Sequence, residues 1–167
     1  MKKLGFKDGR PNTKFIAYST LSFISGNTVP SEPEARPKVV TMETGLKPLQ
    51  EAVGGYIEAV YPFDDPVALI VNEEGKLDGL PLNRALRHKN GEVYDILAGN
   101  ILVVGLGEDD FTSLPPKLMD KYKEMFHQPE AFIHMGRSII ALPIPERQIK
   151  GEEQPKKPKV KNHNAEL

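Results

Sequence analysis

The sequence predicts an α+β domain, a small and mainly antiparallel sheet with two helices packed on one face. Three observations carry that expectation. "VALIVN" and "NILVVGLG" are short, continuous apolar runs bounded by turn residues, as buried strands are. Two other stretches, beginning near Thr44 and Ser113, repeat apolar residues at helical spacing. The strands come in runs instead of alternating strictly with helices, which favours α+β over a parallel sheet.

Residues 1–37 read as an N-terminal segment and linker. "TKFIAYSTLSFIS" sets Phe15, Ile16, Tyr18, Leu21, Phe23 and Ile24 in a loose alternation that suits a strand or a marginal helix. "NTVPSEPEARP" has three prolines close together and must be extended, which puts a boundary near Arg36. The core domain is 38–145. "KVVTME" is a strand. In "TGLKPLQEAVGG", Thr44 caps a helix, Leu46, Leu49 and Val53 form its apolar face, and Gly54–Gly55 stop it. "YIEAVYP" alternates as a strand, "DDP" turns the chain, and "VALIVN" is a buried strand. "LDGLPLNRALRHKNGEVYDILAG" is mostly loop, with a short helix through Asn83–Arg87. After the strand "NILVVGLG", Ser113 caps a second helix that buries Leu118, Tyr122, Met125 and Phe126. "SIIAL" is the final strand. Residues 146–167 lack an apolar period and read as a disordered charged tail.

Composition narrows the function. At 167 residues there is room for one domain with tails. The absence of cysteine excludes a disulfide framework, a thiolate zinc site and a cysteine nucleophile. A net charge of −1 gives no global attraction to nucleic acid or acidic membranes. The two N-terminal lysines are followed by no apolar run, because Lys7, Asp8 and Arg10 interrupt it. "FIAYSTLSFISG" is too short and too rich in hydroxyls to span a membrane. The expectation is a soluble cytoplasmic protein with no membrane partner.

The segments "VGGYIE", "NEEGKL", "LPLNR" and "GNILVVG" follow one another in order between Lys38 and Pro145. In this the chain resembles a small domain of unknown function that recurs in bacteriophages and conjugative elements of Gram-positive bacteria. That family carries no established activity. The resemblance implies a setting: an accessory protein of a mobile element, acting on its host. Small proteins of this kind inhibit defence systems by binding a host protein or by sequestering a nucleotide signal. This is analogy and fixes no chemistry.

Several motifs invite chemistry and fail on physical grounds. "VVGLGEDD" lacks the third glycine of a dinucleotide loop, and Glu108, Asp109 and Asp110 would repel phosphate. In "HQPEAFIH", Pro129 breaks the helix that would align His127, Glu130 and His134 on a metal. Asp64–Asp65 and Glu73–Glu74 flank turns and read as solvated, whereas paired catalytic carboxylates sit across a cleft. No nucleophile elbow or phosphate loop is present. "KKPKVK" lacks aromatic neighbours for base stacking, so no specific nucleic-acid partner is expected. No enzyme activity, metal or cofactor is expected.

The best functional patch is "LPLNRALR". On a helical turn Arg84 and Arg87 share a face and can grip a phosphate, while Asn83 hydrogen-bonds a base or carbonyl. Tyr56 follows the double glycine, where a ligand can approach, and its ring can stack. The bland alternative ties Arg84 to Glu58 or Asp95 and half-buries Tyr56 in the sheet. Three functions follow. The first is a non-enzymatic mobile-element protein that antagonises host defence by sequestering an anionic, nucleotide-like signal on Tyr56, Asn83, Arg84 and Arg87. The second is an inhibitor of a host protein that docks through "FIAYSTLSF". The third is an enzyme acting on a nucleotide. An exposed sheet edge also suits a homodimer.

Overall fold

The computed structural model describes residues 11–18 and 36–145. The linker prolines Pro30 and Pro33 and the charged tail from Glu146 lie outside them. In chain order the elements are β1 (Thr13–Tyr18), β2 (Lys38–Met42), α1 (Leu46–Val53), β3 (Ile57–Val60), β4 (Val67–Asn72), β5 (Leu82–Arg87) and β6 (Val93–Ala98). They continue with β7 (Ile101–Leu106), β8 (Phe111–Thr112), α2 (Pro116–Met125), β9 (Glu130–Met135) and β10 (Ser138–Pro143).

The main sheet runs β2-β1-β7-β4-β3, with the short β8 also on β7. Each of its strand pairs is antiparallel. The expected strands in "KVVTME", "YIEAVYP", "VALIVN" and "NILVVGLG" all form, and β4 is buried along its whole length. β1 lies between β2 and β7, so Phe15, Ile16 and Tyr18 are core residues. The strands on either side of the boundary expected near Arg36 therefore pair with each other in one sheet. Thr13–Tyr18 belongs to the same body as the residues after Lys38, and its large apolar side chains are buried in that core; the rest of "FIAYSTLSF", Ser19–Phe23, lies outside the described residues.

Strand alternation assigns the helices to their sides. Phe15, Ala68, Ile70, Leu102 and Val104 pack with Leu49 and Val53 of α1. Ile16, Tyr18, Leu69, Val103 and Ile101 pack with Tyr122 and Phe126 at the other helix. Successive residues of a strand point to opposite faces. The two helices thus cover opposite faces, not one. The reason is connectivity: α1 joins β2 to β3, which are the two edges of the sheet, and so crosses one face from side to side.

The caps differ in detail from the sequence reading. Gly54 ends α1 in the left-handed conformation, with φ 76°, as expected. At the other end Gly45 is the N-cap residue, and the Thr44 hydroxyl donates to Asp110 Oδ2 at 3.3 Å. Pro115 precedes α2, while Ser113 Oγ accepts the Lys14 N–H at 2.9 Å. Met125 is exposed and Met119 packs on the core in its place.

Two further hairpins complete the described residues. β5–β6 stands on the α2 side, with Leu86 and Leu97 in that core. It replaces the loop and short helix expected over Asn83–Arg87. β9–β10 is a separate two-stranded ribbon turned at Gly136–Arg137. Among the described residues no helix is long and apolar enough to cross a membrane.

Candidate functional site

β5 is polar in sequence yet buried in structure, and a bulge reconciles the two. Leu82 faces Ala98 while Arg84 already faces Leu97, so Asn83 is the extra residue. The bulge turns its amide inward. Nδ2 donates to Tyr18 O at 3.0 Å and to Gly99 O at 2.8 Å.

Arg84, 3% exposed, then reaches the end of α2. Its Nε and Nη2 donate to Phe126 O at 3.2 and 3.0 Å. Its Nη1 donates to Asn83 O and Oδ1 at 3.0 and 2.9 Å. The last carbonyls of a helix have no intrahelical partner and carry the negative end of the dipole, so a guanidinium suits this position doubly. The Tyr18 ring lies 5.4 Å from the guanidinium carbon, and the Tyr18 hydroxyl donates to Tyr122 O at 2.6 Å. Burial pulls Arg84 below its usual pKa, opposed by Glu130 and then by Tyr18. Burial pushes Tyr18 above its own usual value.

Arg87 ends β5 at a second register shift, where Tyr94 is the extra residue of β6. Glu130, the first residue of β9, holds this edge. Its Oε1 accepts from Arg87 Nη2, and its Oε2 accepts the Ala85 N–H at 2.8 Å. One carboxylate thus ties the β9–β10 ribbon to β5.

These groups line one pocket of about 360 Å³. Arg84, Arg87 and Glu130 supply its charge, and Phe63, Tyr94 and Phe126 its aromatic wall. Two guanidiniums against one carboxylate leave it net positive. Phe63 packs on Tyr122 and Phe126 with ring centroids 4.8 and 6.0 Å apart.

The expected site residues are only partly brought together. Arg84 and Arg87 share the pocket, and Asn83 shapes the strand beneath it. Tyr56 is 70% exposed and does not line it. The double glycine beside Tyr56 serves an internal contact: a Cβ on Gly55 would lie 2.8 Å from Asn72 Nδ2. That amide donates to Val53 O at 3.3 Å. Arg84 is held by Phe126 and Asn83, while Asp95 pairs with Lys76. Tyr94 carries no motif in the sequence, and Glu130 enters the sequence reading only beside His127 and His134.

Other motifs resolve into structure. A Cβ on Gly105 would lie 2.7 Å from Ser113 O, so that glycine admits β8 and no phosphate. Asp65 is not simply solvated: its Oδ2 accepts from Lys121 Nζ at 2.6 Å and from the Tyr122 hydroxyl at 2.7 Å. These two bonds hold its carboxyl below the usual range. Among the described residues no group of three or more His, Asp or Glu is placed to hold a metal. None of their buried side-chain polar atoms lacks a partner.

Fold and site together define an antiparallel α+β domain with an arginine-lined pocket at the foot of a projecting hairpin. Residues 27–127 match the domain of unknown function DUF3846, and the chain belongs to that family. The matched stretch runs from before β2 to just past α2, leaving β1, β9 and β10 outside it. No curated protein and no solved structure matches the chain.

Proposed function

We propose that this chain is a non-enzymatic accessory protein of a phage or other mobile element. It works in the host cytoplasm and holds a small anionic, nucleotide-like ligand in the pocket of β5. One observation supports this above the rest: two guanidiniums and a single carboxylate line one pocket among aromatic walls. Arg84 is a fixed positive charge at the floor, since its hydrogen bonds commit it to Phe126 and Asn83. The Arg87 side chain, 38% exposed, is the mobile grip. It exchanges Glu130 for a phosphate, which a guanidinium binds through two parallel hydrogen bonds. Tyr94 offers a ring face to a base, and Asn83 acts by holding the bulge. Tyr56 has no part in this reading. Sequestering such a signal would antagonise a host defence that depends on it.

A thermal-shift screen against cyclic dinucleotides, ADP-ribose derivatives and ordinary nucleotides tests the reading. A ligand that binds only the native state raises Tm by mass action. Arg87→Ala should abolish the shift. Glu130→Gln should enlarge it, because the amide still accepts from Ala85 but no longer competes for Arg87. The absence of any shift would replace this reading with its rival, an inhibitor that binds a host protein.

A further inference from the structure

The ribbon β9–β10 exposes apolar side chains where a soluble surface would carry charge. In an antiparallel ladder, residues directly opposite each other share a face. The register pairs Ala131 with Leu142, Ile133 with Ile140, and Met135 with Ser138. Those six residues make the outer face of the ribbon, and none is charged. Ile133, Met135, Ile140 and Leu142 are 46, 59, 40 and 45% exposed. The other face carries Glu130 and Pro143 at its base, which line the pocket. A two-stranded hairpin is marginal in water unless a further layer covers it.

We propose that a second copy of this chain covers that face, with the two ribbons stacked face to face about a two-fold axis. The pattern of side-chain sizes carries the choice of occupant. The two small residues, Ala131 and Ser138, stand at diagonally opposite corners of the face. The two large corner residues, Leu142 and Met135, stand on the other diagonal. A two-fold axis lying across the strands lays the base of one ribbon over the tip of the other. Leu142 then sits over the partner's Ser138, and Met135 over the partner's Ala131. Ile133 and Ile140 each meet their own copies at the centre. Large therefore meets small at every corner, as an isologous contact requires of one surface that must fit itself. The absence of charge matters for the same reason, since a charge near the axis would meet its like.

The arrangement also keeps the two bodies at opposite ends of the stack. Stacked sheets lie about 10 Å apart, and strands of six residues run about 20 Å. The contact is thus smaller than the roughly 1,200–2,000 Å² of a standard interface, and the dimer is reversible. It leaves the pocket open, so it stands independently of the function proposed above.

Sedimentation velocity on a dilution series of the full chain tests this, using wild type, Ile133→Lys, Ile133→Glu and an equimolar mixture of the two variants. Wild type should pass from monomer to dimer as concentration rises into the micromolar-to-millimolar range. Each single variant should weaken association by about a hundredfold or more. The mixture should restore it, because only a residue that meets its own copy can be rescued by opposite charge at the same position. Circular dichroism melts of both variants should match wild type, since Ile133 is exposed. Wild type that stays monomeric throughout would overturn the proposal. So would a dimer indifferent to both variants, or a mixture that stays monomeric.

Discussion

β5 and the ribbon β9–β10 invert the usual rule of what a protein buries. β5 sinks Asn83 and Arg84 to 3% exposure each, while the outer face of the ribbon leaves four large apolar side chains in the open. The inversion has a different cause at each place. Asn83 and Arg84 are accommodated inside because their donors meet backbone acceptors there: Tyr18 O, Gly99 O and Phe126 O accept from them. The ribbon stays outside because its outer face has nothing of the described chain against it. Burial of the polar residues in β5 goes with hydrogen bonds, and exposure in the ribbon with the lack of a packing layer among the described residues.

The largest expected effect breaks the buried side of this comparison from beneath. Removing the residues before Lys38 takes away β1, and with it Tyr18 O, the Tyr18 ring and the strand between β2 and β7. The truncated chain should show no cooperative unfolding and a collapsed range of amide proton shifts by NMR. A well-folded truncation would mean that the sheet closes without β1 and that the chain boundary near Arg36 is a true domain boundary.

A smaller loss should follow from Arg84→Met, which keeps an unbranched apolar stem and removes the donors. Phe126 O and the Asn83 side chain then lose charged partners inside the protein. Hydrogen bonds to a charged group contribute about 1.5–3 kcal/mol, and stranded acceptors add to the cost, so destabilisation of about 3 kcal/mol is expected. Urea denaturation would read it as a lower midpoint with little change in slope. A loss under about 1 kcal/mol would show that the guanidinium is not the cap that the geometry makes it, and would free it for a ligand.

How far the sequence anticipated these two regions follows from their physics. β4 and β7 are legible because they are buried on both faces, and such strands read as continuous apolar runs. α1 is legible from Leu49, Val53 and the glycine that ends it. β5 is not, because "LNRAL" hides a strand whose polar residues are spent on carbonyls distant in sequence. Phe126 lies 42 residues from Arg84, and no local pattern connects them. The sides taken by α1 and α2 depend on strand order, which short-range periodicity does not encode. Half of the ribbon was within reach: "SIIAL" reads as a strand, and the two residues Gly136–Arg137 between apolar-leaning runs are a hairpin signal. Of the site, the sequence singles out Arg84 and Arg87 together. It has no means of finding Glu130, the anion that Arg87 already grips.

The finest test concerns a polar cluster at the border of the same core, where exposure should make the effect small and pH should reveal it. Asp65 is half-buried and is held by Lys121 and by the Tyr122 hydroxyl. Those bonds lower its pKa in the native state. A carboxyl depressed on folding stabilises the protein above its unfolded pKa of about 3.9, and that contribution disappears as pH falls through the native value. The difference in Tm between wild type and Asp65→Asn should therefore be constant from neutral pH to about pH 5 and shrink below about pH 4. Tyr122 has the opposite sign. Burial, and next its bond to Asp65, raises its pKa, and burial does the same for Tyr18. Unfolded tyrosines ionise near pH 10, so the native state holds these protons more tightly and stability should fall as pH rises beyond about 10. Asp65→Asn removes only the carboxylate's share of that alkaline loss, whereas the share due to burial should remain. A variant that lost both the acid and the alkaline dependence would mean that the Asp65 bond, and not burial, governs Tyr122. The ring that supports Phe63 in the aromatic wall of the pocket would then be held from its polar edge.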